Sequence, residues 1–313
     1  MKQKISVIIP CYRSSSSLPM VIDSLLNTIK KRTEFDYEII LINDGSPDNG
    51  ETWNTIKTIA NNNTIIKGIN LSKNFGQHNA MMAGYKVSKG DIIVGMDDDG
   101  ENNPQFMFEL VDKLSEGYDC VMGEYNNDKK KSIRGLGTKI NNKMAEKLIN
   151  KPKDITLTSF YACKRFIVEQ ICEYNNAYPY IAGLILQSTN NLGKVSLKRE
   201  KRISGKSNYS LRKLIRLWVS GFTAFSIKPL RISSTIGFVC AIIGFVLGIV
   251  IIIRKFFLDV MIGWSSLVSI TLFIGGLIMM MLGMIGEYIG RIYLSVNKAP
   301  QFVIKEKINI DEE

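Results

Sequence analysis

Asp91-Ile-Ile-Val-Gly-Met96 runs directly into Asp97-Asp98-Asp99. The first six residues read as a buried strand, a short apolar run rich in β-branched side chains. Carboxylates at the end of such a strand cost free energy unless something binds them, most often a cation. Asp97, Asp99 and Glu101 offer three hard oxygen donors. They suit Mg²⁺ or Mn²⁺ and leave coordination positions open for substrate phosphates. Asn102-Asn103-Pro104 then opens a helix, with proline in the first turn.

Outward from this stretch the chain alternates. Strands are expected at Ile5–Ile9, Tyr37–Ile42, Ile65–Leu71, Asp91–Met96 and Tyr118–Met122. Helices are expected at Leu18–Lys31, Glu51–Ala60, Gln77–Val87 and Pro104–Ser115. That order makes βαβ units, an α/β Rossmann-like doubly wound sheet. Ligands of such sheets bind at the C-terminal strand ends. Three loops leave those ends on one edge: Pro10-Cys-Tyr-Arg13, Asn43-Asp-Gly-Ser46 and Asp97–Glu101. Pro10 and Tyr12 can frame a base or ribose. Asp44 can accept the imide N–H of a pyrimidine or simply close an Asx-turn. The sole histidine, His78, reads as structural. No P-loop, no GxGxxG after the first strand and no GxSxG is present, so NTPase, dinucleotide oxidoreductase and α/β-hydrolase readings lack their key parts.

The soluble domain is expected over 1–210, its last sixty residues forming a mixed second part. Beyond it lie two uncharged stretches, Ile232–Ile253 and Val260–Gly286, each longer than the ~20 residues that cross a bilayer core. A six-residue linker, Arg254–Asp259, makes them an antiparallel hairpin within 232–290. Residues 211–231 form a juxtamembrane segment in which Leu211, Leu214, Ile215, Trp218, Phe222 and Phe225 share one helical face beside basic residues, an interfacial helix. Residues 291–313 are a tail. The net charge of the 313-residue chain is +11, and Lys194–Arg231 holds eleven Lys/Arg against one acid, Glu200, or +10. Placed just before the membrane, this excess favours anionic lipid headgroups or a lipid phosphate over nucleic acid. Basic residues at the hairpin's approach and exit put both termini in the cytoplasm of a multi-pass membrane protein. Five scattered cysteines without a CxxC pair fit a reducing compartment, and no leader is expected before the first strand.

Val7-Ile-Ile-Pro-Cys-Tyr12, Ile42-Asn-Asp-Gly-Ser46, Ser72-Lys-Asn-Phe-Gly76 and Met96-Asp-Asp-Asp99, in this order, resemble family 2 glycosyltransferases of the GT-A fold. Arg202-Ile-Ser-Gly-Lys-Ser-Asn-Tyr209, Phe225–Arg231 and Gly286–Tyr293 narrow the resemblance to polyprenyl-phosphate glycosyltransferases, the dolichyl-phosphate-mannose-synthase-like group with two membrane helices. The resemblance implies an inverting, metal-dependent transfer of a sugar from a nucleotide-sugar to a polyprenyl phosphate, undecaprenyl phosphate in bacteria, for cell-envelope glycans. It implies that Pro10, Tyr12, Asp44 and Asp97 hold the nucleotide. Asp97, Asp99 and Glu101 serve the metal. Arg202 and Lys206, with Arg134, face the acceptor phosphate, and Asp99, Arg202 and Lys206 carry catalysis. Glu101 stands where the family usually has Gln, Gly100 where it has Leu, and Asn43 where it has the first acid of an Asp pair. Ser159 occupies the place of an acid proposed as base. A lipid monophosphate, with a second pKa near ~6, is already largely anionic at neutral pH and needs no such base. The competing readings are a processive polysaccharide synthase, whose QxxRW motif is absent, and an inactive membrane-bound scaffold. A homo-oligomer is compatible with all three.

Overall fold

A computed structural model describes residues 2–125, 152, 155–197, 263–297 and 300–310, with scattered positions between 230 and 253. Two compact units emerge, Met1–Leu211 with Lys298–Glu313, and Arg212–Asn297.

The first unit is built on an eight-stranded sheet. Its elements are β1 (Lys4–Cys11), α1 (Leu18–Ile29), β2 (Asp36–Asn43), α2 (Glu51–Asn61), β3 (Ile66–Leu71), α3 (Gln77–Val87), β4 (Ile92–Gly95), α4 (Met107–Ser115) and β5 (Cys120–Tyr125). They continue with β6 (Tyr161–Lys164), α5 (Arg165–Cys172), α6 (Ile181–Ser188), β7 (Leu192–Leu197) and β8 (Ile304–Ile308). The strand order is β7-β5-β6-β4-β1-β2-β3-β8. The expected βαβ units account for the parallel centre, where β1 pairs with β2 and β4, and β2 with β3.

Two strands depart from the sequence reading. β6 is wedged antiparallel between β4 and β5, so the fifth strand does not lie beside the fourth. β8 closes the far edge, antiparallel to β3, from residues read as a tail. Its alternation of half-buried and exposed positions suits an edge strand covered on one face, and five residues are too few for periodicity alone to reveal it.

Strand residues of the centre, Ile5, Val7, Ile9, Ile39, Leu41 and Val94, are fully buried and pack on Leu18, Val21, Ile22 and Leu25 of α1. The i, i+3, i+4, i+7 spacing of those four α1 residues dictates the helix and its buried face. At the edge away from the site, Glu38 is 1% exposed and bonded by Ser6 Oγ, Lys89 N–H and Lys67 Nζ, the last at 2.7 Å. Burial alone would raise its carboxyl; these donors overcome it and hold the group at about 2.

In the second unit, α7 (Trp264–Val296) runs 33 residues, ~50 Å of helix. Its Phe273–Gly290 window has mean hydropathy 1.6 and no buried share. Among the described residues this is the helix long and apolar enough to cross a membrane. The described positions from 235 to 253 are helical, but half of the first apolar stretch, and the interfacial helix expected before it, lie outside the described residues.

Candidate active site

The three loops named from sequence do meet at the C-terminal ends of β1, β2 and β4, and side chains tie them together. Asp98 makes the first tie. Its Oδ2 accepts the Tyr12 backbone N–H at 3.1 Å and the Ser14 hydroxyl. The middle acid of the triplet therefore holds the Pro10–Tyr12 loop. Burial pushes its carboxyl up to about 6, against the Ser14 and Tyr12 bonds, and the charges of Asp97 and Asp99 add to the rise. Tyr12 itself stays 44% exposed, its ring 5.6 Å from the Arg13 guanidinium.

Asp44 makes the second. It is buried, and its two oxygens accept the backbone N–H groups of Phe75 and Gly76 at 2.7 and 2.9 Å. Both oxygens thus shape the Asn74-Phe75-Gly76 loop, a long-range tie distinct from the local Asx-turn expected from sequence. Gly45 beside it has φ +55°, and a Cβ there would lie 2.1 Å from the Lys73 carbonyl carbon. Only glycine fits that approach. Asn43 bonds Asn70 at 2.8 Å and Ser46 at 2.6 Å. An amide can donate to one and accept from the other, which the aspartate of the usual pair cannot do.

Asp97 is the centre of the third tie. Gln77 Nε2 donates to its Oδ1 at 2.9 Å, and the Ser159 hydroxyl donates to its Oδ2. Burial pushes the Asp97 carboxyl up, the Asp99 charge adds to this, and the bonds from Ser159, Asn102 and Gln77 oppose it. Asp99 Oδ1 accepts the Glu101 N–H at 3.0 Å, closing a turn through Gly100, whose φ of +76° explains glycine there. Glu101 is half-buried in the same turn. Among the described residues no three acidic, histidine or cysteine side chains are gathered as a preformed cation cage.

A cavity of about 200 Å³ opens beside Asp97 and Ser159. His78, Tyr180 and Ile181 form its other wall. The His78 and Tyr180 rings meet edge-to-face, centroids 5.3 Å apart. Burial pushes the imidazole down to about 4, so at neutral pH it offers one donor and one acceptor. Gln77, His78 and Tyr180 were not read as site residues. A helix start that faces a pocket and one that faces the core look alike in sequence. Arg134, Arg202 and Lys206 lie outside the described residues.

The glycosyl transferase family 2 model matches residues 6–174, more than half of the chain. The chain belongs to glycosyl transferase family 2. A second family, the GtrB C-terminal hairpin, matches residues 228–292. Among the most similar relatives is the undecaprenyl-phosphate 4-deoxy-4-formamido-L-arabinose transferase of Proteus mirabilis, 31% identical over 98% of this chain and 94% of the relative. The same enzyme of Photorhabdus laumondii is 32% identical at the same coverage. In solved structures, glucosyl-3-phosphoglycerate synthase from Mycobacterium tuberculosis, in complex with Mn²⁺ and UDP-glucose, matches with a TM-score of 0.52 and 21% identity over 71% of this chain and 77% of that one. The fold is therefore that of family 2 glycosyltransferases, and this chain is a glycosyltransferase.

Proposed function

We propose that this glycosyltransferase moves a sugar from a nucleotide-sugar to a polyprenyl phosphate, undecaprenyl phosphate by analogy with its relatives, at the cytoplasmic face of a membrane. The observation that carries the reading is the end-to-end similarity to undecaprenyl-phosphate sugar transferases, across 98% of the chain and both family regions.

Asp97 and Asp99 supply hard oxygen donors fit for Mg²⁺ or Mn²⁺, and Glu101 is within the same turn. Phosphate-bound metals take one or two carboxylates and complete their shell from the phosphates, which accords with the absence of a three-residue cage among the described residues. Bound there, the cation supplies charge neutralisation for the leaving diphosphate. Asp98 and Asp44 keep the loops that hold the nucleotide, Pro10 and Tyr12 among them, in register with Asp97 and Asp99. Gln77 and Ser159 fix Asp97 from both sides. Ser159 cannot take a proton at neutral pH, so the acceptor phosphate attacks as the anion it already is. Arg202 and Lys206, with Arg134, orient that phosphate.

The membrane reading has support in the chain path. The first unit ends at Leu211 and resumes at Lys298, and β8 rejoins its sheet. A segment that leaves and re-enters one domain crosses a bilayer an even number of times. Two crossings, with basic flanks, keep that domain in the cytoplasm. Purified protein supplied with undecaprenyl phosphate, Mg²⁺ or Mn²⁺ and a panel of UDP- and GDP-sugars tests the reading. A lipid-extractable labelled sugar is expected from at least one donor. Release of free sugar with none in the lipid across the panel would overturn it.

A further inference from the structure

The last described segment does more than complete the sheet. Gln301 is 7% exposed, and its Nε2 donates to two backbone carbonyls, Tyr174 O at 2.5 Å and Asn176 O at 2.9 Å. Both belong to the loop between α5 and α6. From the other side, Asn79 Nδ2 of α3 donates to Ala177 O at 3.2 Å and to Phe75 O at 2.8 Å. Two buried amides therefore grip three of the four carbonyls from Tyr174 to Ala177. The loop they hold ends at Tyr180 and Ile181, which wall the cavity beside Asp97 and Ser159. Within the loop, Tyr174 OH donates to Tyr178 O at 3.4 Å and Asn175 Nδ2 to Glu173 O at 3.0 Å.

Gln301 is itself held. Phe302 lies 5.4 Å under Lys86 Nζ of α3, and Val303 O accepts the Ser72 N–H at 2.9 Å. Further along, Glu306 accepts from Trp53 Nε1 at 2.8 Å and pairs with Lys57 at 2.7 Å. Asn309 then donates to Ala60 O and Ile66 O, both at 2.8 Å. The segment 301–309 is thus pinned on α2 at one end, and Gln301 at its start reaches the loop that borders the active site at the other. In sequence, Gln301 follows Val296, the last residue of α7, by five positions.

We propose that Gln301 is a positioning residue: it anchors the Tyr174–Tyr180 loop and so sets the cavity wall that His78 and Tyr180 present to the donor sugar. The catalytic consequence rests on the glycosyl-transfer reading; the anchoring does not. Loss of the two Gln301 bonds loosens the wall while the nucleotide-binding loops, tied by Asp98 and Asp44, stay in place.

The test compares two variants of the full chain in detergent. Gln301→Leu keeps the packing volume but removes both donors. Glu306→Gln weakens the same strand at its α2 end without touching the loop. Amide hydrogen exchange is followed without ligand over residues 174–182. Gln301→Leu is expected to speed exchange there about tenfold, as a loop that has lost two buried hydrogen bonds opens more often, and Glu306→Gln to leave it at the wild-type rate. With the best donor of the panel, Gln301→Leu is expected to raise donor KM about fivefold or more with kcat held within about twofold, since a wall contact made equally in ground and transition states is lost. If Gln301→Leu does not fold, Gln301→Asn, one methylene shorter, gives the same comparison. Wild-type exchange over 174–182 in the Gln301 variant, or equal acceleration in Glu306→Gln, overturns the anchoring. Faster exchange with unchanged donor KM overturns the link to the sugar while leaving glycosyl transfer standing. Absence of wild-type turnover would instead strike the glycosyl-transfer reading.

Discussion

Ser159 donates its hydroxyl to Oδ2 of Asp97, a residue 62 positions earlier in the chain. The family's usual acid at this place would set a second carboxylate against a partly buried one, and like charges there raise both pKa values. Serine instead supplies a neutral donor and completes, with Gln77, the support of both Asp97 oxygens. Ser159→Ala is expected to cost several-fold in kcat, about the ~1 kcal/mol of one hydrogen bond, and not the hundredfold loss of a removed base. The pH–rate profile of both proteins should fall together below about pH 6, where the lipid phosphate gains its proton.

Asp98 gives the protein a pH-dependent stability of known sign. Its carboxyl is raised to about 6 in the fold from an ordinary 3.8. Between those values the native chain keeps a proton that the unfolded chain has lost, so stability falls as pH rises toward 6. Above pH 6 the ionised group costs on the order of 3 kcal/mol against the protonated one. Asp98→Asn can still accept from Tyr12 and Ser14 and carries no charge. Its thermal midpoint should exceed wild type more at pH 7.5 than at pH 5. An advantage confined to pH 5 would contradict the burial of this acid.

Arg202→Ala should slow transfer to undecaprenyl phosphate far more than it weakens nucleotide-sugar binding. Lysine at this position should rescue poorly, because a bidentate fork to phosphate is lost. Membrane association should persist. Unchanged acceptor kinetics would return the basic motif to headgroup attraction, at ~1 kcal/mol per charge.

The chain path predicts where labels reach. In a cysteine-free background, single cysteines at Lys2 and Asp311 should resist an impermeant maleimide in intact cells, and one at Phe256 should react. Labelling of one terminus without the other would break the even-crossing topology, and labelling of both would overturn the cytoplasmic placement.

The parallel centre of the sheet was legible because its signals are local. Ile5–Ile9 and Asp91–Met96 are apolar runs punctuated by loops, and the helices between them carry their own period. The three loops follow from that order and the strand-end rule. What depends on partners distant in sequence was not legible. β6 enters between β4 and β5 from residues 161–164, and β8 crosses from residue 304 to β3. The role of Asp98 as a loop tie needs Ser14, 84 residues away, and that of Gln301 needs Tyr174, 127 residues away. Asp44 stands out in the sequence, yet nothing in Asn-Asp-Gly-Ser shows that both its oxygens go to Phe75 and Gly76.

Metal-dependent transfer to the lipid is measured by following labelled sugar from the nucleotide-sugar into an undecaprenyl-phosphate extract, for wild type and Asp99→Asn, with Mg²⁺ or Mn²⁺ and with chelator. Wild type with metal is expected to form the lipid-linked sugar. Chelation or Asp99→Asn should lower the rate roughly 10³-fold or more while the protein stays folded, as expected for loss of several kcal/mol of charge stabilisation at the diphosphate. Near wild-type transfer by Asp99→Asn, or by wild type in chelator, would contradict metal-dependent transfer.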